Sequence, residues 1–260
     1  MTQSGMNIGM MNNPRGSVYD EIEAIGKAGF DFVDLTIEGP TLDVDPHKAG
    51  TRLQRYGLFA VGHTDPCLPY AYPVDTVRRA CFEELKRCAK VFSSLGVQIM
   101  NIHPCYSSPP SMKEDLVNQH ITALKPIADM AEDHGLALAL ENFKAPFDRI
   151  STFESLFSAV PRLYLHLDFG HTHFGKDDGP HFCRQLGHRL RHVHFSDNRG
   201  GADDHMPLGA GGIDWAASVD ALRNIGYDGT ITLEIFCGNR DMLFQYMKVS
   251  KRFLLELWNG

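Results

Sequence analysis

Short apolar or β-branched runs alternate along the chain with longer stretches whose apolar residues recur every three to four positions. Eight runs read as strands: Met6–Met11, Phe30–Glu38, Leu58–Thr64, Val97–His103, Leu136–Phe143, Leu163–Asp168, Leu190–Ser196 and Thr230–Phe236. Several lack strict alternation, as expected of strands covered on both faces. Between and after them lie eight stretches with helical spacing: Val18–Ala28, Asp45–Tyr56, Val74–Leu95, Glu114–His134, Thr152–Ala159, Pro180–His188, Trp215–Ile225 and Arg240–Trp258. Gly29, Gly57, Gly96, Gly135 and Gly226 each sit just past a helical run, where a helix end wants a residue tolerant of positive φ. Strict β/α alternation over this length predicts α/β class, a single (β/α)8 TIM barrel spanning residues 1–260. A doubly wound open sheet is the competing architecture, but no G-x-G-x-x-G follows the first strand.

Composition narrows the class. A hydrophobic share of 43% against 22% charged residues suits a water-soluble chain with a sizeable core. The net charge of −7 argues against a broad basic face for nucleic acid or anionic lipid. Six irregularly spaced cysteines include no Cys-x-x-Cys pair, so reduced thiols are expected rather than a disulfide framework or a thiolate zinc site. The start lacks a basic region followed by a long apolar run, and no stretch approaches 18 apolar residues. These features predict a cytoplasmic protein with no membrane partner; a homo-oligomer is compatible with them.

In such a barrel, chemistry gathers at the C-terminal ends of the strands. The third strand ends in His63, the fourth in His103 and the fifth, LALENF, in Glu141. The sixth, LHLDFGH, supplies Asp168 with His171 three residues on; the seventh, HVHFSD, supplies His194; the eighth ends TLEIF with Glu234. Asp203 and His205 follow as D-x-H. A lone strand-end histidine is usually a hydrogen-bonded structural residue. Six strand ends carrying only His, Asp and Glu on one rim instead form a donor set for a divalent ion, Mn, Zn, Co or Mg. A lone glutamate in an apolar strand also needs a partner, because burying an unpaired carboxylate is costly.

The remaining candidates carry weaker signals. His166 and His192, one layer deeper than the strand-end residues, read as packing or supporting groups. His173 has no independent support as a substrate contact. Asp197, Asn198 and Arg199 follow His194 closely, and either bind substrate, Asn198 and Arg199 in particular, or form surface loop. Glu38 ends the second strand without a spacing argument for a role. PLGAGGIDW lacks a P-loop lysine and reads as a turn into a helix capped by Asp214. His120, His134, His181 and His188 are expected to be solvated.

ALENF, HLDFGH, HVHFSDN, D-x-H followed by LG-x-GG-I, and the final LEIF resemble the xylose-isomerase-like barrel superfamily, which holds endonuclease IV and sugar or sugar-phosphate isomerases and epimerases. The resemblance runs from the third strand onward and implies one of two activities. In an isomerase or epimerase, Glu141, Asp168, His194 and Glu234 would hold one divalent ion. Glu141 and Glu234 would move protons beside a carbonyl through an enediolate, with His171 contacting substrate oxygens and His63 and His103 orienting the carbohydrate. In an endonuclease IV-like phosphodiesterase, up to three zinc ions would use His63, His103, Glu141, Asp168, His171, His194, Asp203, His205 and Glu234, with abasic DNA or a smaller phosphoester as substrate. The segment after His63, TDPCLPYAYP, places Pro66 where a duplex wedge is expected, which favours the isomerase. A metal-binding barrel without catalysis is a third class, opposed by the intact pair of glutamates.

Overall fold

The computed structural model describes residues 6–38, 43–109 and 115–260. Strands β1 (Asn7–Met11), β2 (Phe32–Ile37), β3 (Phe59–Thr64), β4 (Ile99–Ile102), β5 (Ala137–Glu141), β6 (Leu163–Asp168), β7 (Leu190–Phe195) and β8 (Thr230–Leu233) run parallel in sequence order. Pairing of β8 with β1 closes the barrel. Outside it lie α1 (Val18–Lys27), α2 (Pro46–Tyr56), α3 (Asp75–Ser94), α4 (Leu116–Asp133), α5 (Ile150–Ala159), α6 (Phe169–Phe174), α7 (Gly179–Leu186), α8 (Trp215–Asn224) and α9 (Arg240–Asn259). This is the (β/α)8 architecture that the periodicity implies. Among the described residues no helix is long and apolar enough to cross a membrane. The helix start expected at Glu114 lies outside the described residues.

The strands sort the chain by parity. On β2, Val33, Leu35 and Ile37 join the apolar layer beneath the helices, whereas Asp34 and Thr36 are buried on the opposite face. The same division separates Leu138 and Leu140 from Glu141 on β5, and Ile231 and Leu233 from Thr232 on β8 and Glu234 just beyond it. Both faces are covered, so strand hydropathy is nearly continuous outside and polar inside. At the lower end, Phe32 stacks on Phe59 with ring centroids 5.1 Å apart. Gly9 faces this ring so closely that a Cβ there would lie 2.5 Å from it, which makes glycine a packing requirement.

One irregularity matters for the site. Leu165 of β6 pairs with Leu190 of β7, but the next pair is His166 with His192, so Arg191 is bulged out of the ladder. The shift lets Leu190 stay in the apolar layer while His192 and His194 line up with His166 and Asp168. Arg191 turns its guanidinium over the Tyr164 ring, 4.2 Å from the centroid.

Two sequence expectations need correction. His120 is fully buried rather than solvated, with Nδ1 donating to the Leu116 carbonyl (2.8 Å) and Nε2 accepting from the Cys105 amide (2.9 Å). It shares the inward helical stripe of Leu116, Ala123, Leu124 and Ile127, so the spacing itself carried the signal. The other correction is α6, which follows β6 without a loop. Six residues are too few for a helical period to register, yet Asp168 caps the helix by accepting the His171 amide proton (3.0 Å).

Candidate metal and acid–base site

The cap sets the geometry of the site. One oxygen of Asp168, Oδ1, is committed to the His171 amide, and Oδ2 has no hydrogen-bond partner in a wholly buried setting. Asn142, which the sequence reading passed over, fixes the same corner: its side chain donates to the Asp168 carbonyl (3.0 Å) and accepts the Asp168 amide proton (2.7 Å). The Asn142 carbonyl then takes His171 Nδ1 at 2.8 Å. The motif ENF thus supplies a candidate ligand and the amide that squares the neighbouring strand against it.

Glu141, Asp168, His194 and Glu234 converge so that one donor atom from each lies within 4.8 Å of the others. His63, His103 and Glu141 form an adjoining group with the same property. His103 Nε2 approaches Glu141 Oε2 to 2.8 Å without the alignment of a hydrogen bond, and His63 Nε2 faces His103 Nδ1 at 3.4 Å. On the other side, His171 Nε2 meets Asp203 Oδ2 at 3.0 Å, the same oxygen that His205 Nε2 approaches to 3.2 Å. His205 returns to β8, its Nδ1 lying 3.2 Å from the Glu234 carbonyl. All nine strand-end and D-x-H residues therefore form one contiguous network.

Charge in this network is unevenly balanced. Burial raises the cost of charging Glu141, but His103, His166 and His171 outweigh it and hold the carboxyl well below the usual carboxylate range. Burial pushes Asp168 up to about 7, with His171 opposing and Glu234 and Glu141 reinforcing. Burial opposes charging His205, but the Asp203 hydrogen bond together with the charges of Glu234, Asp203 and Asp168 outweighs it and raises the pKa to about 9. Three buried carboxylates around one imidazole, two of them with an orphaned oxygen, are short of positive charge. The donor set therefore fits a divalent cation with nitrogen and oxygen preferences.

Above the network opens a cavity of about 650 Å³, within the range of small-molecule sites. His63, His103, His171, Asp203, His205 and Glu234 form its polar floor, and Tyr106, Phe143 and Phe236 contribute aromatic wall. No Lys or Arg lines it among the described residues. Glu38 reaches the rim, half-buried, and burial together with Asp65 raises its carboxyl pKa.

Other sequence candidates fall elsewhere. Asn198 is buried and spent on structure: its amide donates to the Gly170 carbonyl (2.8 Å) and its oxygen faces His173 Nδ1 (2.8 Å). Arg199 leaves 73% of its side chain exposed and does not line the cavity. Asp34 is the clearest omission of the sequence reading. It lies wholly buried on β2 with His63, His192 and His194 around it. An acidic residue inside FDFVDLTIE, of the kind already flagged at Glu141, was the available signal.

Comparison with known proteins places this geometry in a family. An L-ribulose 3-epimerase of Methylomonas sp. (strain DH-1) is 28% identical over 230 residues, covering 83% of this chain and 77% of that protein. An inosose isomerase of Bacillus velezensis (strain DSM 23117 / BGSC 10A6 / LMG 26770 / FZB42) is 24% identical over 238 residues, covering 85% and 84%. The crystal structure of a D-tagatose 3-epimerase-like protein superposes with a TM-score of 0.85 at 23% identity, covering 98% of both chains, a likeness of fold. Residues 22–256 match the family model of the xylose isomerase-like TIM barrel, and the chain belongs to that family.

Proposed function

We propose that this chain is a divalent-metal-dependent epimerase or isomerase of an uncharged polyhydroxylated carbonyl compound. The observation that carries the reading is the convergence of Glu141, Asp168, His194 and Glu234 beneath a cavity that Glu234 lines and that has no lining Lys or Arg among the described residues. Epimerases and isomerases among its relatives support it. Glu141, Asp168, His194 and Glu234 would hold the ion, which would polarise neighbouring carbonyl and hydroxyl oxygens and offset the charge of an enediolate. Glu141, which ends β5, and Glu234, the residue after β8, would take a proton from one side of the carbon and return it from the other. His171 would contact substrate oxygens.

The test is exchange of solvent deuterium into ketoses and inososes, run beside their phosphates. Glu141→Gln and Glu234→Gln should each cut exchange at least about 100-fold, the lower end of what a positioned acid–base group contributes. Exchange persisting in both variants, with the ion still bound, refutes the assignment.

The contiguity of all nine residues supports a second reading, a trinuclear zinc phosphodiesterase with abasic DNA or a smaller phosphoester as substrate. Metal content separates the two: one ion per chain fits the four-residue site, and three zinc ions fit the nine-residue set.

A further inference from the structure

The cavity above the network does not stand alone. A second chamber of about 590 Å³ adjoins it between the loop after β1 and the loop after β8, and Met11, Glu38, Glu234 and Phe236 line both. We propose that this chamber is a subsite for a second sugar ring, so that the substrate is a glycosylated ketose rather than a free monosaccharide. The inference rests on the epimerase or isomerase reading above and names the substrate class of that site.

Size and continuity come first. Either chamber falls within the range of about 300–1,000 Å³ that holds a drug-sized ligand, so the first is already ample for one monosaccharide. Glu234, a candidate acid–base residue, lines both chambers. The second chamber therefore opens beside the proposed proton-transfer group, within reach of a ring attached to the reacting sugar.

The lining has the chemistry of a sugar subsite. One side of the Phe236 ring packs on the His205 imidazole, centroids 4.1 Å apart, yet 56% of the residue stays exposed. An aromatic face carries partial negative charge, and the polarised C–H bonds on one face of a pyranose complement it. Buried Met10, Leu233 and Met247 add an apolar floor to the second chamber. Exposed Asn13 and Arg15 stand at its edge, where amide and guanidinium N–H groups can donate to hydroxyl oxygens. A ring with apolar faces and a hydroxyl-bearing rim matches that division, whereas a wholly apolar tail leaves the donors unused.

The walls are pinned before any ligand arrives. Buried Asn12 clamps the end of β1 to β2, its Oδ1 accepting the Thr36 amide proton (2.7 Å) and its Nδ2 donating to the Thr36 carbonyl (3.4 Å). Buried Glu21 accepts the Asn13 amide proton (3.2 Å) and pairs with Arg240 (2.5 Å), which ties the loop after β1 to the start of α9. A chamber held open in this way orders little on binding, so contacts to the second ring can appear as affinity.

The test compares kcat/KM for solvent deuterium exchange by the Mn2+-loaded chain into D-fructose and into its glucosyl derivatives maltulose, leucrose and isomaltulose. Binding energy remote from the reacting carbon raises kcat/KM, and at least one glucosyl derivative should exceed D-fructose by about 10-fold. Leu243, half-buried on α9, lines the second chamber and not the first. Leu243→Trp, which fills that chamber, should lower the ratio of glucosyl derivative to D-fructose by about 10-fold with an unchanged circular dichroism spectrum. Should Leu243→Trp fail to fold, Asn13→Ala should lower the same ratio at least about threefold by removing a hydrogen-bond donor. A chain that exchanges free ketohexoses but favours none of the three glucosyl derivatives by more than about twofold overturns this inference and leaves the epimerase or isomerase reading intact. A ratio that neither folded variant moves also overturns it. Exchange into no ketose, free or glucosylated, refutes that reading and this extension together.

Discussion

Asp197 is the clearest case of a residue whose removal should disable the site without touching it. Its buried carboxylate accepts four N–H donors: the amides of Asn198 (2.9 Å), Gly209 (2.9 Å) and Ile213 (3.2 Å), and Trp215 Nε1 (3.0 Å). Between its own backbone pairing with Met206 and these contacts runs the loop that carries Asp203 to His171 and sets His205 beside Asp203. Hydrogen bonds to a charged group contribute about 1.5–3 kcal/mol each, and a stranded buried donor costs about 1–3 kcal/mol. The donors on Gly209 and Ile213 are partly exposed and can turn to water, whereas those of Asn198 and Trp215 are buried. Two stranded donors set the expected loss for Asp197→Ala at about 3–5 kcal/mol, a large share of a typical stability of about 5–15 kcal/mol. Urea unfolding should show it as a lower midpoint at unchanged slope. Asp197→Asn keeps one acceptor and turns an NH2 toward two donors, so it should lose nearly as much, whereas Trp215→Phe removes one bond and about 1–2 kcal/mol. Amide exchange over residues 199–213 should quicken in Asp197→Asn while β5 and β6 stay protected. An Asp197→Ala chain within about 1 kcal/mol of wild type would contradict the view that this carboxylate anchors the loop.

Burial lowers the His120 pKa from 6.5 to about 4, the Leu116 carbonyl opposing. The unfolded chain therefore binds more protons between those pH values; stability is complete above about 6.5 and falls by about 3 kcal/mol as pH drops to about 4. A His120→Gln chain should lose that slope, and matching pH–stability curves for variant and wild type would refute it. A Cβ at Gly62 would stand 2.7 Å from the Phe92 ring of α3, so Gly62→Ala should cost about 1–3 kcal/mol, partly restored by Phe92→Leu. A melt showing no loss would mean that the helix shifts freely. A divalent ion at about 100 times its Kd should stabilise the chain by about 2.7 kcal/mol, seen as a raised melting temperature that Asp168→Asn abolishes. Unchanged melting with Mn, Co, Zn and Mg counts against the ion.

The barrel was legible in the chain because its determinants are local. Strand and helix periods differ, and the five helix-ending glycines adopt φ between 66° and 80°, a signature that needs no tertiary context. The rim chemistry was legible for a related reason: a parallel barrel sends every strand's C-terminal end to one face, so a list of strand-ending residues is already a list of neighbours. Tertiary structure decided the rest. Asp34 ends no strand, and only barrel closure brings β2 against β7 and β8, at sequence separations of 158, 160 and 198 residues. His120 was open to the helical period yet hidden by the habit of placing histidines in water. Asn198 and Arg199 follow a ligand strand closely, but the turn at Asp197 commits one to the Gly170 carbonyl and His173 and sends the other to solvent. Sequence proximity to a site sets distance along the chain, whereas inward or outward direction depends on which distant groups satisfy each buried donor and acceptor.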